Sequence, residues 1–381
     1  MNRYTPDVQH ERAGALGLIT LNRPKALNAL SLEMVRELTD ILLQWQADDR
    51  VLAVAIRGSN KEGAFGAFCA GGDIRYFHQA ALAGDSTLED FFTEEYALNH
   101  LIHTYSKPYI AFMDGIVMGG GMGLSQGARL RIVTERTQMA MPETQIGLFP
   151  DVGGGYFLSR CEGALGEYLA LTGQLLKGAE ALFVGLADVL CPSSELNTLW
   201  QQLSQQHFSD GEALVAWIKQ QTSVPTLLHT APPAWFDAEL HPVFSLSDVQ
   251  HIVQALQVLS EQQGEQSWAG QTLNTLRQKS PLMLCVTLAQ IRRGRQLQLA
   301  DDLRMERNMV RHCFHTTHLS RRGVSSETVE GIRALAVDKD RQPNWQPASI
   351  EAITPDMVEP FFDSPWPVWA HPLRGLTDSP L

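Results

Sequence analysis

Two acids and a run of glycines stand close together near the middle of this 381-residue chain. Glu143 and Asp151 each sit in an apolar setting: Met139, Met141 and Pro142 surround the first, and Leu148, Phe149 and Pro150 precede the second. Burial among such neighbours penalises the charged form of a carboxylate and perturbs its pKa. Just upstream, Gly119, Gly120, Gly121 and Gly123 leave a backbone bare of side chains where a helix is expected to begin, and free N–H groups there suit an anion. A second glycine turn, Ala70-Gly71-Gly72-Asp73, follows a predicted strand. Acyl-group chemistry needs such parts: two N–H donors converging from separate loops on a developing oxyanion, and a group to handle a proton. Taken singly, the glycines could serve close packing, Glu143 could be a surface acid and Asp151 a helix N-cap. Their joint placement favours a site.

Rival constellations are weaker. Gly123-Leu124-Ser125-Gln126-Gly127 matches the nucleophile elbow of serine hydrolases, but that elbow needs a strand running straight into its first glycine, and Gly119, Gly120 and Gly121 intervene. His312, His315 and His318 beside Cys313 have the residue types of a metal face. On a polar stretch with Arg311, Arg321 and Arg322 they read as a solvated surface instead, and no metal site is assigned. His100 and His103 read as structural, and Glu94 and Glu95, on the helix predicted over 88–105, are weaker site candidates that could instead form a solvated helix face. No dinucleotide fingerprint fits, because its third glycine would fall on Leu124 or Gln126, and the stretch from Gly173 to Gly178 lacks the Walker spacing.

The elements that must position these residues alternate. Strands are predicted over 15–21, 52–56, 109–113 and 187–190, with Asn22-Arg23-Pro24 ending the first. Helices are predicted over 32–45, capped by Ser31, and over 88–105, 165–171, 179–184 and 195–207, with a glycine-rich loop over 58–73. This is an α/β pattern. After about residue 205 strand signal fades into glutamine-rich helical stretches over 249–259, 265–279, 282–293, 299–311 and 326–337. Pro281 suits the start of one of them. The chain therefore divides into a core over 1–205 and a helical region over 206–381, whose proline-rich tail reads as an extended wrap.

Composition excludes several classes. A net charge of -12 opposes nucleic-acid and anionic-membrane partners. No run approaches the roughly 18 apolar residues of a membrane span, and the N-terminus has no apolar leader core. Five scattered cysteines without a CxxC pair give neither a disulfide framework nor a zinc site, so the expected compartment is the cytoplasm. Homo-oligomerisation is left open, because the helical region could cover its own core or pack on a neighbour.

In their order, Leu21-Asn22-Arg23-Pro24-Lys25-Ala26-Leu27-Asn28-Ala29-Leu30, Phe68-Cys69-Ala70-Gly71-Gly72-Asp73-Ile74, the Gly119 turn and Met141-Pro142-Glu143 resemble the crotonase (enoyl-CoA hydratase/isomerase) superfamily. The resemblance implies a crotonase-like spiral of β-β-α turns, an acyl-CoA substrate with no separate cofactor, and an oxyanion hole at the N–H groups of Gly72 and Gly120. It places Lys25, Ala26, Leu27, Ala70, Asp73 and Ile74 beside the CoA moiety. Hydratases of the family use two glutamates; the second matches Glu143, but the first falls at Gly123. The stretch from Ala140 to Phe157, Glu94-Glu95-Tyr96, Lys279-Ser280-Pro281 and the stretch from Val337 to Trp345 look like the 3-hydroxyisobutyryl-CoA hydrolase branch. That branch implies hydrolysis of a short 3-hydroxyacyl-CoA thioester, as in valine breakdown, with Glu143 as nucleophile or base, Asp151 handling water or the leaving thiolate's proton, and Glu95 in the acyl pocket. The alternatives are a hydratase or isomerase using Glu143 alone and a silent acyl-CoA-binding protein.

Overall fold

The computed structural model describes residues 6–222 and 232–378. The first five residues of the N-terminal stretch read for a leader, and the last three of the proline-rich tail, lie outside them.

The main sheet runs in the order Val8–Ala13, Leu16–Leu21, Ala53–Asn60, Tyr109–Met113, Leu130–Val133, Val189–Leu190, with Gly63–Ala64 paired to Ala53–Asn60. The first pair is antiparallel and the others along this order are parallel, with Leu16 opposite Ala53, Val54 opposite Tyr109 and Ile110 opposite Leu130. Side chains alternate strictly between its faces. Leu16, Leu18, Ala53, Ala55, Ile110, Phe112, Leu130 and Ile132 face one apolar cluster, closed by Leu199 and Leu203 of the helix Leu196–Gln205 and Leu214 and Ile218 of the helix Gly211–Gln221. Ile19, Leu21, Val54, Ile56, Tyr109, Ala111 and Met113 face the larger cluster, which continues without a break to Leu373. The helices beyond residue 205 thus share their core with the sheet.

Besides the short Gly63–Ala64, which falls in the stretch read as a loop, two strands missing from the sequence reading complete this sheet. Val8–Ala13 is an edge strand whose polar side chains are mostly solvated, so its alternation is weak, and Leu130–Val133 is four residues long and interrupted by Arg131. A small second sheet joins Ile116–Met118, Gln138–Ala140 and Leu176–Lys177. It aims the Gly119 turn and the Glu143 turn the same way, since the parallel pairing of Met118 with Ala140 sets the starts of the two turns side by side. The stretch after Asp73, read as the end of a loop, is the helix Ile74–Ala83.

Local signals explain the long helices. Ser31 accepts the Met34 N–H at 3.3 Å ahead of Leu32–Ala47, and Ser280 accepts that of Met283 at 3.1 Å ahead of Pro281–Gly294. Trp45 packs on Gly17, where any Cβ would collide with the indole. The tail is a series of short turns packed on the helix Leu299–Phe314. His312 and His318 hold it through the carbonyls of Asp363 and Met357, at 2.9 and 3.0 Å, so these histidines pin the tail instead of forming a solvated face. Among the described residues there is no metal-ligand cluster, and no helix is long and apolar enough to cross a membrane.

Candidate active site

One cavity of about 210 Å³ gathers Gly72, Gly120, Glu95, Glu143 and Asp151. Each arrives on a different element. Gly72 follows the strand-like Cys69 segment, which bridges to Val117, and is bracketed by the bonds from Leu30 N–H to Gly71 O and from Asp73 N–H to Leu30 O. Gly119, with φ at 48°, lets Ile116–Met118 turn into the helix Gly120–Gln126. The two turns abut: a methyl on Gly71 would lie 3.4 Å from the Gly120 nitrogen. Neither the Gly72 nor the Gly120 N–H has a partner among the described residues, so both donors are free.

Glu143 opens the short turn Glu143–Ile146, and its Oε2 is buried without a partner. Its other oxygen lies against the Gly119 turn, 2.9 Å from where a Cβ on Gly119 would be. Burial and the Asp151 charge push Glu143 well above the usual carboxylate range, while the Lys279 ammonium opposes them. Lys279 is itself buried, which lowers it to about 8, and the Ser280 N–H bonded to Thr144 O at 3.1 Å brings it beside the Glu143 turn. Asp151 accepts the Tyr96 hydroxyl at 2.9 Å; burial raises it to about 6, against the lowering effect of that bond. It caps no helix with its side chain, because Gly153 occupies the cap of Gly154–Leu158.

Glu95 and Glu94 part company. Glu94 turns outward to Arg36, at 2.6 and 2.7 Å. Glu95, on Thr87–His103, is buried over Gly120, where an added Cβ would stand 2.6 Å from its Oε1. Burial and the Asp151 and Glu143 charges raise it. It is no solvated face.

The first loop touches the second: Ala70 N–H donates to Leu27 O at 3.0 Å, and Asn28 Nδ2 donates to the carbonyls of Ser59, Ala67 and Phe68. Ala70 and Ile74 line the cavity; Lys25, Ala26, Leu27 and Asp73 do not. Leu27 is half exposed beside it, after the turn Pro24–Ala26. Asp73 caps Ile74–Ala83 through the Tyr76 N–H and pairs with Arg23 at 3.0 Å, so its carboxylate is already engaged.

Ser125 is wholly buried inside a helix and donates to Gly121 O at 2.8 Å, which removes the serine-nucleophile reading. At Gly123 a Cβ would come within 2.8 Å of the Val152 Cβ and 2.7 Å of Asn99 Nδ2, so a glutamate has no room there. Phe77, Phe92, Ile146, Leu148 and Leu335 form the apolar wall. Tyr96, on the buried face of Thr87–His103, and Lys279, between two helices, fall in motifs of the resemblance that gave them no role; Leu335, half-buried on Arg333–Val337, carries no local motif.

The model of the enoyl-CoA hydratase/isomerase family matches residues 16–362. The chain is 39% identical over 355 residues to a Xenopus laevis protein named 3-hydroxyisobutyryl-CoA hydrolase, mitochondrial, covering 93% of this chain and 88% of that one. It is 38% identical over 365 residues to the Danio rerio protein of the same name, covering 94% and 90%. Among solved structures, a carnitinyl-CoA dehydratase from Mycobacterium thermoresistibile superposes with a TM-score of 0.81 at 35% identity, covering 94% of this chain and 97% of that one. An enoyl-CoA hydratase from Rhodobacter sphaeroides gives 0.79 at 33%, covering 94% and 98%. Fold, motifs and these likenesses agree: the chain belongs to the enoyl-CoA hydratase/isomerase family, the crotonase superfamily.

Proposed function

We propose that this enzyme hydrolyses the thioester of a short branched 3-hydroxyacyl-CoA, converting 3-hydroxyisobutyryl-CoA to 3-hydroxyisobutyrate and CoA in valine breakdown. The observation that carries the reading is the pairing of Glu143 with Asp151 in one cavity, together with the lack of space for a second catalytic glutamate at Gly123, where a Cβ would collide with Asn99 and with Val152 of the cavity wall. The relatives named for this hydrolysis, alike over nearly the whole chain, support it. The small apolar pocket supports a short acyl group.

In this reading the thioester oxygen lies between the Gly72 and Gly120 N–H groups, which stabilise it as it gains charge. Ionised Glu143 attacks the carbonyl carbon; the C–S bond breaks, Asp151 gives its proton to the departing thiolate, and water, losing one proton to the Asp151 carboxylate, then opens the mixed anhydride to acid and Glu143 carboxylate. Along the alternative route Glu143 takes a proton from water, which attacks directly. A single turnover in ¹⁸O water separates them, because only the anhydride route can place label in Glu143. Glu95, above Gly120, orients the 3-hydroxyl. Lys25, Ala26, Leu27, Ala70 and Ile74 border the CoA moiety, with Asp73 setting their loop. No cofactor beyond the CoA of the substrate enters, and the compartment proposed is the cytoplasm; free cysteines support a reducing one.

The solved neighbours are named for hydration and dehydration, which favours water addition as the second reading. Thiol release tests the choice. The hydrolase releases free thiol from 3-hydroxyisobutyryl-CoA and leaves the enoyl absorbance of crotonyl-CoA intact. Loss of that absorbance, with no thiol from any hydroxyacyl-CoA, would overturn the proposal.

A further inference from the structure

The turn that carries Asp151 is held from behind by three polar side chains of the C-terminal helices. Gln290, on Pro281–Gly294, donates to Pro150 O at 2.7 Å. Glu306, on Leu299–Phe314, accepts the Gly153 N–H at 2.7 Å and the Gly155 N–H at 2.9 Å, one with each oxygen. Asp302, one turn earlier on that helix, accepts the Tyr156 N–H at 2.9 Å. Gln290 and Glu306 also bond each other at 3.0 Å. Asp151 is therefore tethered through the residue before it and the residues after it, and the Tyr96 hydroxyl fixes its carboxylate.

Two further observations argue that this is more than packing. Val152, next to Asp151, is a buried β-branched residue held at φ 55°, a left-handed conformation that such residues avoid unless their surroundings impose it. Asp302, Glu306 and Gln290 are all buried, and Asp302 and Glu306 are carboxylates pushed upward by that burial. Apolar side chains would fill the same space at lower cost, whereas carboxylates can grip N–H groups in fixed directions.

We infer that Glu306, with Asp302 and Gln290, forms a set of positioning residues that holds the Asp151 carboxylate at its working angle in the cavity. The inference rests on the reading that Asp151 acts in thioester hydrolysis. None of the three lines the cavity, so each works through the turn.

The test uses the full-length enzyme and steady-state thiol release. Glu306→Gln keeps the size of the side chain but replaces one acceptor oxygen by an NH2 group, which cannot receive an N–H. Expected is a fall in kcat of about 10- to 100-fold with KM changed less than about twofold, in a protein that still melts cooperatively. The same substitution placed on Asp151→Asn should cost less than about twofold more, since its effect passes through a group already removed. An unchanged kcat in folded Glu306→Gln, or a loss that multiplies fully onto Asp151→Asn, would overturn the inference. Should Glu306→Gln not fold, Gln290→Met takes its place, and the same two results would overturn the inference. An Asp151→Asn enzyme as fast as wild type would instead remove the role of Asp151 itself, a result distinguishable from failure of the clamp alone.

Discussion

Two sets of buried carboxylates lie on opposite sides of the turn 150–156. In front, Glu95, Glu143 and Asp151 line the cavity; behind, Asp302 and Glu306 meet the backbone of the turn. Burial raises all five. A perturbed pKa therefore does not tell the reacting group from the supporting one. What differs is where the oxygens go. Glu143 Oε2 and Glu95 Oε1 are buried without partners on residues that line the cavity, whereas both oxygens of Glu306 are filled by N–H groups. Asp302 keeps one open oxygen, but it abuts the backbone at Gly155 and Gly294, away from the cavity. Unspent acceptors facing a cavity mark chemistry; saturated ones mark scaffolding.

The largest expected break between the two sets comes from Glu143→Gln. It should lower kcat by about 10³-fold or more without lowering the thermal midpoint, because a buried charge with an open oxygen is removed and nothing bonded to that oxygen is lost. Thiol release and a melting curve on the same sample check both halves; normal hydrolysis by the folded variant would sink the assignment.

Asp151 sharpens the comparison through stability. Its folded pKa of about 6 lies above the ordinary 3.8, so the folded state holds the proton more tightly. Stability therefore falls as pH rises through roughly 4 to 6. Asp151→Asn, whose oxygen still accepts from Tyr96, should be no more stable than wild type below pH 4 and more stable above pH 6, by at most about 3 kcal/mol. Urea unfolding at pH 4 and pH 7.5 measures the difference, and an equal gain at both would contradict a raised carboxyl.

A smaller effect is expected at Lys279. After the hydrogen bond from Glu143's own backbone, its charge is what draws Glu143 downward, so Lys279→Met should raise Glu143 further and move the acidic limb of the kcat profile to higher pH by about one unit or less. A limb that stays in place, or moves down, would show that the ammonium does not act on Glu143.

How much of this was legible in the sequence follows the same division. Gly72, Gly120, Glu143 and Asp151 sit in turns with local signals, glycines beside acids in apolar runs, and the cavity brings them together. Glu95 needed the family resemblance, yet a signal was present. It stands four residues after Phe91 and three after Phe92, on the buried stripe of its helix, while Glu94 falls off that stripe onto Arg36. Glu306 follows the same rule, because Leu299, Leu303, Glu306 and Val310 share one face. Its sequence neighbours are so polar that the stripe reads as solvated, and nothing local says that its partners lie about 150 positions earlier. Asp73 is a different case: it lies inside a motif read as binding, and its carboxylate is engaged in a cap and an ion pair that no local signal announces.

The grip of Glu306 on the Asp151 turn also sets an order of events during synthesis. Gly153 leaves the ribosome 153 residues before the side chain that fixes it. At about 5 to 20 residues per second, that is a wait of roughly 8 to 30 s. From the start of that interval most of the sheet and both glycine turns already exist as chain, but the left-handed Val152 lacks the grip of Glu306 on the residue after it. If Glu306 positions Asp151 as inferred, that positioning is missing from the growing polypeptide until about the last fifth of the chain is being made, and a transcript truncated before that point yields a protein with its acids encoded and its aim missing.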